Sequence, residues 1–248
     1  MMNKKHMLTA GAGVLLCTLS AQTLAAIALD RTRVVVEGGQ KSVSLSVSNE
    51  NKQLPYLAQG WIEDAQGEKI THPLTVLPPV QRIEPGARSQ VRIQTLPGIE
   101  RLPQDQETLY YFNLREIPPR TDKPNTLQLA LQTRIKLFFR PKALVTTKSD
   151  APWQEKITLT RSGSGYRVNN PTPYYVTLAD GTDRPGGASA KGFKPVMVAP
   201  RGEAALSVGA AALGNSPVLT YINDYGGRPQ LKFTCSGSSC TASPVKTK

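Results

Sequence analysis

Apolar residues recur at every second position along most of this chain. Residues 42–48 alternate serine with valine or leucine without a break, and residues 91–94 repeat the pattern. Successive side chains of a β-strand point to opposite faces of the sheet, so this period predicts strands that bury one face. The same reasoning predicts strands at residues 109–117, 127–139, 157–159, 174–178, 218–221 and 231–233. We therefore predict an all-β protein.

Turn residues separate the predicted strands at intervals of about ten residues, a spacing typical of β-sandwiches. One sandwich takes about 100 residues, so a chain of 248 residues can hold two. The polar stretch 146–152 has no periodicity, and we predict domains at residues 26–143 and 144–248. The alanine-rich residues 203–213 are a helix candidate, but Gly209 and the lack of a clear N-cap argue against it.

Residues 1–25 have the features of a secretory signal peptide. Two lysines precede an apolar run at residues 7–20, and Thr23 and Ala25 stand before a cleavage site at Ala26. A membrane anchor is the alternative, but this run is shorter than the roughly 20 residues that span a bilayer. We predict export and a soluble mature protein.

Loss of the signal peptide removes Cys17 and leaves Cys235 and Cys240 as an even pair. Disulfides persist in oxidising compartments, and the polar residues 236–239 are flexible enough to let the two cysteines meet. Closing so small a ring stabilises a protein by roughly 2 kcal/mol. Half of a zinc site is the alternative, but a second pair of ligands is missing from the sequence.

The mature sequence offers little for catalysis. His72 is its only histidine, and H-E-x-x-H, G-x-S-x-G and a glycine-rich phosphate loop are all missing. The formal charge of +12 falls to +10 without the two signal-peptide lysines, but the basic residues are dispersed and export removes the usual nucleic-acid partner. We predict no enzyme activity, cofactor, metal, nucleic-acid binding or membrane insertion.

Residues 126–140 form the most unusual segment. Odd positions from Leu127 to Phe139 are almost all apolar, whereas even positions are polar and then basic. Fifteen residues at about 3.3 Å each reach roughly 50 Å, against five or six residues in an ordinary strand. Either the strand bends inside its own core or part of its apolar face is left for a partner. An exposed apolar edge invites pairing with another chain, so such an edge would be a binding edge.

Several segments resemble the periplasmic pilus chaperones of the chaperone–usher pathway. Residues 102–118, LPQDQETLYYFNLREIP, look like the signature of that family. Further matches follow in order and spacing at residues 29–33, 51–56, 135–141, 170–175 and 221–227. The resemblance implies two immunoglobulin-like β-sandwich domains set at an angle.

The resemblance also implies a mechanism. Chaperones of this family donate the last strand of their first domain to a pilus subunit that lacks a strand, and they hold its C-terminal carboxylate in a cleft. Matched residue by residue, the resemblance implies that Leu127, Leu129 and Leu131 bind the groove of the subunit. It implies that Arg33 and Lys136 bind the carboxylate. It also implies an interdomain charge network of Glu107, Arg140 and Asp224. Without the resemblance, the residues alone favour an ordinary surface role for each of these charges.

The implied partners are pilus subunits, including the adhesin, and an outer-membrane usher, all met in the periplasm. A self-capping dimer is a further possibility for the free protein, because a second copy can cover the leucine edge. The alternative function is a secreted immunoglobulin-like binding module or a pilus subunit. A pilus subunit would have one sandwich with a donor extension at its mature N-terminus, whereas here the apolar strand is internal and a second domain follows.

Overall fold

The computed structural model describes residues 26–122, 124–147 and 149–246, and the predicted signal peptide lies outside them. In this part of the chain, β-strands gather around two separate hydrophobic cores. The all-β prediction and the two-domain prediction are therefore confirmed. Among the described residues, we find no helix with the length and apolar character needed to cross a bilayer.

The first domain is a sandwich of two sheets. Its strands are β1 (Ile27–Leu29), β2 (Arg33–Glu37), β3 (Ser42–Asn49), β4 (Tyr56–Glu63), β5 (Lys69–Ile70), β6 (Leu74–Leu77), β7 (Val80–Ile83), β8 (Arg88–Thr95), β9 (Thr108–Ile117) and β10 (Gln132–Arg140). One sheet has the order β1-β3-β8-β6, and the other has the order β2-β10-β9-β4-β5 with β7 paired to β4. A 3₁₀ turn, Ile99–Arg101, precedes β9.

Alternation places the apolar side chains of both sheets in one core. Every second residue of these strands faces the opposite sheet, and the buried set includes Leu45, Val47, Val91, Ile93, Phe112, Leu114 and Leu137. Full burial of one such side chain contributes roughly 1.5–3 kcal/mol. The opposite face of β2, β9 and β10 is free to carry polar and charged residues.

Strand β10 is shorter than the sequence predicts, because it begins at Gln132 rather than at Leu127. It pairs antiparallel with β9 and parallel with β2. The last backbone hydrogen bond of this segment toward the N-terminus joins the Glu116 N–H to the Leu131 carbonyl, at 2.9 Å. Beyond that point β9 ends at Ile117, so residues 126–131 belong to no strand of a sheet. An isolated segment has no ladder to hold it, whatever its alternation.

The second domain is one continuous sheet folded around its own core. Its strands are β11 (Thr158–Ser162), β12 (Gly165–Asn169), β13 (Val176–Thr182), β14 (Val196–Val198), β15 (Glu203–Ala205), β16 (Val218–Tyr221), β17 (Gln230–Ser236) and β18 (Ser239–Pro244). They follow the order β14-β13-β16-β17-β18-β11-β12-β15. Short 3₁₀ turns at Lys142–Leu144 and Trp153–Lys156 lie in the connection between the domains.

The alanine-rich residues 203–213 do not form one helix. They divide into β15 and a single turn, α1 (Ala210–Leu213). Gly209 is the N-cap residue of that turn. No larger residue fits at this position, because an added Cβ would lie 2.2 Å from the Ser164 carbonyl oxygen. Close backbone packing therefore explains the glycine.

A disulfide joins Cys235 of β17 to Cys240 of β18. The two residues are directly opposite in the antiparallel ladder, and Cys240 is fully buried in the core of the second domain. The predicted pair is therefore present, and the alternative of half a zinc site is wrong.

We expect loss of this bond in the Cys235→Ala, Cys240→Ala double variant to lower the free energy of unfolding by roughly 2 kcal/mol. The hairpin itself should survive, because its ladder does not depend on the bond. Urea unfolding of the variant and of reduced wild type measures the effect. Intact mass after alkylation should show no free thiol without reductant. Two free thiols in fresh oxidised protein, or an unchanged urea midpoint on reduction, would contradict this expectation.

Candidate functional site

Arg33 and Lys136 lie side by side on the outer face of the first domain. They are register partners in the parallel pair of β2 and β10. The next pair along the strands, Val34 and Leu137, is buried in the core. Because neighbouring residues of a strand point to opposite faces, both cations point away from that core.

The Arg33 guanidinium is confined and only partly satisfied. The residue is 8% exposed, and its Nη1 donates a hydrogen bond of 3.1 Å to the Ile222 carbonyl in the second domain. Its Nε is buried and has no hydrogen-bond partner among the described residues. Burial lowers the pKa of Arg33, although the charges of Asp224 and Glu107 oppose this. A buried donor of this kind is costly unless a ligand satisfies it.

Lys136 is half-buried and has no counterion within residues 26–122, 124–147 and 149–246. Burial lowers the pKa of Lys136, and the positive charges of Arg33 and Arg134 lower it further. Arg134, one step along the same face, instead forms an ion pair of 2.9 Å with Glu63. Within the described residues neither Arg33 nor Lys136 forms an ion pair. Two neighbouring cations of this kind are suited to bind an anion.

Arg33 lines a cleft where the two domains meet. Asp30, Arg31, Thr32, Val35 and Glu37 also line it from the first domain, and Asp224 and Tyr225 line it from the turn after β16. The cleft is therefore formed by a strand of one domain and a turn of the other, and neither domain forms it alone.

Arg140 joins the two domains through a buried charge network. It is 2% exposed, and its Nε donates to Glu107 Oε1 at 2.8 Å. Its Nη1 and Nη2 donate to the two carboxylate oxygens of Asp224 at 2.8 and 3.1 Å. The other Glu107 oxygen accepts the Tyr175 N–H at 2.7 Å. The structure therefore brings together all three residues of the expected network.

Opposing effects set the pKa values in this network. Burial acts against the charge of Arg140, but the hydrogen bonds and charges of Asp224 and Glu107 outweigh it and hold its pKa above the ordinary value. Burial raises the pKa of Glu107, while Arg140 and the Tyr175 N–H act in the opposite direction. The guanidinium also lies 4.7 Å from the ring centre of Trp153, a favourable cation–π distance.

The three leucines ahead of β10 are exposed. Leu127, Leu129 and Leu131 are 81%, 63% and 44% accessible to solvent. They alternate with polar or small residues in the segment that leads into β10, and Leu131 lies five residues before Lys136. Ile135, on the same alternating set but within β10, is only 8% exposed. The apolar row thus divides into an outer part without cover and an inner part in the core.

Comparison with known proteins accounts for these features together. Residues 26–145 match the family model for the pili and flagellar-assembly chaperone PapD N-terminal domain, and residues 152–233 match that for the pili assembly chaperone PapD C-terminal domain. This chain belongs to the pilus-assembly chaperone family. The family shares the two-domain immunoglobulin-like fold, so that prediction is confirmed and the alternative of a pilus subunit is not supported.

Individual relatives cover nearly the whole chaperone. It is 53% identical over 223 residues to chaperone protein PapD of Escherichia coli, which covers 90% of this chain and 92% of the relative. The structure of the Salmonella enterica SafA pilin in complex with the SafB chaperone matches with a TM-score of 0.71 and 30% identity, over 87% of this chain and 99% of that chain. The periplasmic chaperone SfaE matches with a TM-score of 0.68 and 31% identity, over 84% of this chain and all of that one.

Two contributors to the cleft of this chaperone escape the sequence analysis. The Ile222 carbonyl positions Arg33, and a backbone oxygen leaves no trace in residue type. Tyr225 lines the same cleft and is 84% exposed. It lies within the matched stretch 221–227, but only Asp224 of that stretch has an implied role. An aromatic residue inside a glycine-containing turn is the one signal that points to it.

We expect Lys136→Met to stabilise the free chaperone at neutral pH by roughly 0.2–1 kcal/mol, because it removes a like-charge contact across the β2–β10 pair. Because the pKa of Lys136 is lowered in the folded state, the lysine binds its proton more tightly in the unfolded state. The free energy of unfolding of wild type therefore rises as the pH increases toward 10.5, the ordinary pKa of lysine. The advantage of the variant should therefore shrink as the pH approaches that value.

Urea unfolding at several pH values measures this difference. Lys232→Met, at an exposed position of β17, is the matched control and should change little. If Lys136→Met destabilises the free protein, the side chain is part of its structure rather than held ready for a ligand.

Proposed function

We propose that this chaperone binds a pilus subunit by donating residues 126–131 as a strand and by holding the subunit's C-terminal carboxylate between Arg33 and Lys136. The observation that carries this proposal is the row of three exposed leucines, which continues β10 outside its own sheet. No contact within the described residues accounts for so much apolar surface on one short segment. A partner that needs a strand would account for it.

Strand donation satisfies both sides of the contact. A subunit that lacks a strand has an apolar groove flanked by unpaired N–H and C=O groups. An extended segment pairs with those groups by β-augmentation, and its alternate side chains fill the groove. Burial of one leucine contributes roughly 1.5–3 kcal/mol, so Leu127, Leu129 and Leu131 together supply a large part of the binding energy.

The pair of cations, Arg33 and Lys136, fixes the position of the subunit's C-terminus. A carboxylate accepts hydrogen bonds from the Arg33 guanidinium and from the Lys136 ammonium, and it neutralises both charges. Leu131 is five residues from Lys136, about 17 Å along an extended chain. Fixing the terminus therefore fixes the register, and a slip of one residue would turn every leucine away from the groove.

The remaining parts of the proposal follow from this activity. The Glu107–Arg140–Asp224 network holds the two domains, at 26–143 and 144–248, so that the cleft keeps its shape. Residues 1–25 direct export to the periplasm, where the disulfide can form. The chaperone then delivers its subunits, including the adhesin, to an outer-membrane usher. It acts by binding alone and performs no enzymatic step.

Arg33→Ala and Lys136→Ala test the carboxylate anchor. Each variant should remain folded by circular dichroism but lose affinity for a pilus subunit by roughly 30-fold or more, because the carboxylate would be desolvated with one cation missing. Co-purification of the chaperone with a tagged subunit measures the loss. Lys232→Ala removes a cation outside the cleft and should retain full binding. Unchanged recovery with both Arg33→Ala and Lys136→Ala would contradict the anchor.

A further inference from the structure

Tyr225 lies on a turn that is rigid although its ring is exposed. The Asn223 Oδ1 accepts the N–H groups of Tyr225 and Gly227, at 3.1 and 2.8 Å. The Asn223 N–H donates to the Gly227 carbonyl at 3.0 Å. The backbone that carries the ring is therefore held by its own hydrogen bonds and not by packing of the ring.

The same turn is hydrogen-bonded to the first domain just before Tyr225 and lies close to it just after Tyr225. Asp224 receives two hydrogen bonds from Arg140, and the Ile222 carbonyl receives one from Arg33. Gly226 has a φ of +81°, and an added Cβ there would lie 2.8 Å from Thr32 Oγ1. Both the left-handed backbone and the close approach require glycine. The ring is thus presented at a set place beside the first domain.

This preorganised ring is in the cleft that Arg33 lines. A chain whose terminal carboxylate lies between Arg33 and Lys136 also places its last side chain within a few ångströms of that carboxylate. The ring of Tyr225 is 84% exposed and lies outside both hydrophobic cores. The ring is therefore packed into neither core and is accessible to a ligand in the cleft.

We propose that Tyr225 is a further subunit-binding residue, whose ring packs against the last side chain of the bound subunit and favours an apolar or aromatic residue there. This inference rests on the proposed function, because the carboxylate brings that side chain to the ring. Aromatic and apolar groups gain from such contact beyond simple burial, and a rigid turn lowers the entropic cost of binding.

Labelled peptides test the proposal. The probes are fluorescein-labelled decapeptides of alternating threonine and valine, with two lysines at the labelled end, that finish in Phe or Ala. Each is made as a free acid and as an amide. Fluorescence anisotropy gives the affinity of wild type, Tyr225→Ala, Tyr225→Phe and Arg33→Ala. The ratio of Phe-acid to Ala-acid affinity should fall about 2- to 10-fold in Tyr225→Ala.

Tyr225→Phe keeps the ring and should keep the wild-type ratio, and urea midpoints of both Tyr225 variants should match wild type. Tyr225→Ala should retain the preference for acid over amide, whereas Arg33→Ala should lose it. An unchanged Phe-to-Ala ratio in Tyr225→Ala overturns the role of Tyr225 and leaves the anchor intact. Equal binding of acid and amide by wild type overturns the anchor and, with it, the placement of the last side chain beside Tyr225. Failure of wild type to bind any of the peptides contradicts both.

Discussion

Leu129→Glu is expected to abolish subunit binding while leaving the free chaperone about as stable as wild type. In the free protein this side chain is 63% exposed and belongs to no sheet, so a glutamate there would remain in water. In the proposed complex it would enter a closed apolar groove, where an unpaired carboxylate costs several kcal/mol. Urea unfolding of the free protein and recovery of the subunit complex measure the two effects separately.

Ile135→Glu is the matched control, because it makes the same kind of change on the same face of the same segment. Ile135 is 8% exposed and belongs to the core of the first domain. The charge would therefore be buried in the free protein, and we expect a loss of several kcal/mol or failure to fold. If both variants unfold the free chaperone equally, the leucines are part of its own core and strand donation is wrong.

Arg140→Met is expected to lower the free energy of unfolding by roughly 3–5 kcal/mol. Removal of one partner from a buried ion pair leaves an uncompensated charge, and Glu107 is 2% exposed with Arg140 as its cation. Asp224 is more exposed, with 24% of its side chain accessible. Asp224→Asn should therefore cost far less, about 1 kcal/mol.

The Glu107→Gln, Arg140→Met double variant separates a buried charge from lost packing. If the lone carboxylate causes the loss, the double variant should be more stable than Arg140→Met, because no buried charge is left. Urea unfolding followed by tryptophan fluorescence is suited to this, since Trp153 lies against the guanidinium. A double variant whose loss equals the sum of the two single losses would mean that the charges do not act as a pair.

Alternation predicted eight of the eighteen strands found in the described residues, and it placed the start of β10 wrongly. Residues 218–221 were predicted as a strand, and β16 has those bounds. Residues 127–131 alternate just as clearly, yet among the described residues they form no strand. The difference is physical: alternation records which side chains prefer an apolar surface, whereas a strand also needs a neighbour for its backbone groups. Residues 127–131 thus have the pattern of a strand without a neighbouring strand, and we propose that a partner supplies that neighbour.

The site residues came from resemblance to a family and not from residue pattern. Arg33 and Lys136 meet only because β2 and β10 run parallel, a pairing between segments about 100 residues apart. Arg140 and Asp224 belong to different domains. No local sequence pattern indicates that two charged residues so far apart in the sequence will meet. From residue pattern alone, each of them was therefore indistinguishable from an ordinary surface residue. Tyr225 had no signal strong enough to be noticed.

The sequence by itself determined the secondary-structure class, the division into two sandwiches and the pair of mature cysteines available to bond. These are local properties, set by the period of apolar residues, by turn chemistry and by cysteine count. Only the tertiary structure decided which charges are neutralised and which apolar residues are covered. Arg140 has two carboxylates, whereas no carboxylate among the described residues pairs with Lys136. Ile135 is in a core and Leu129 is in water, because burial and pairing depend on which distant segments return to the same place.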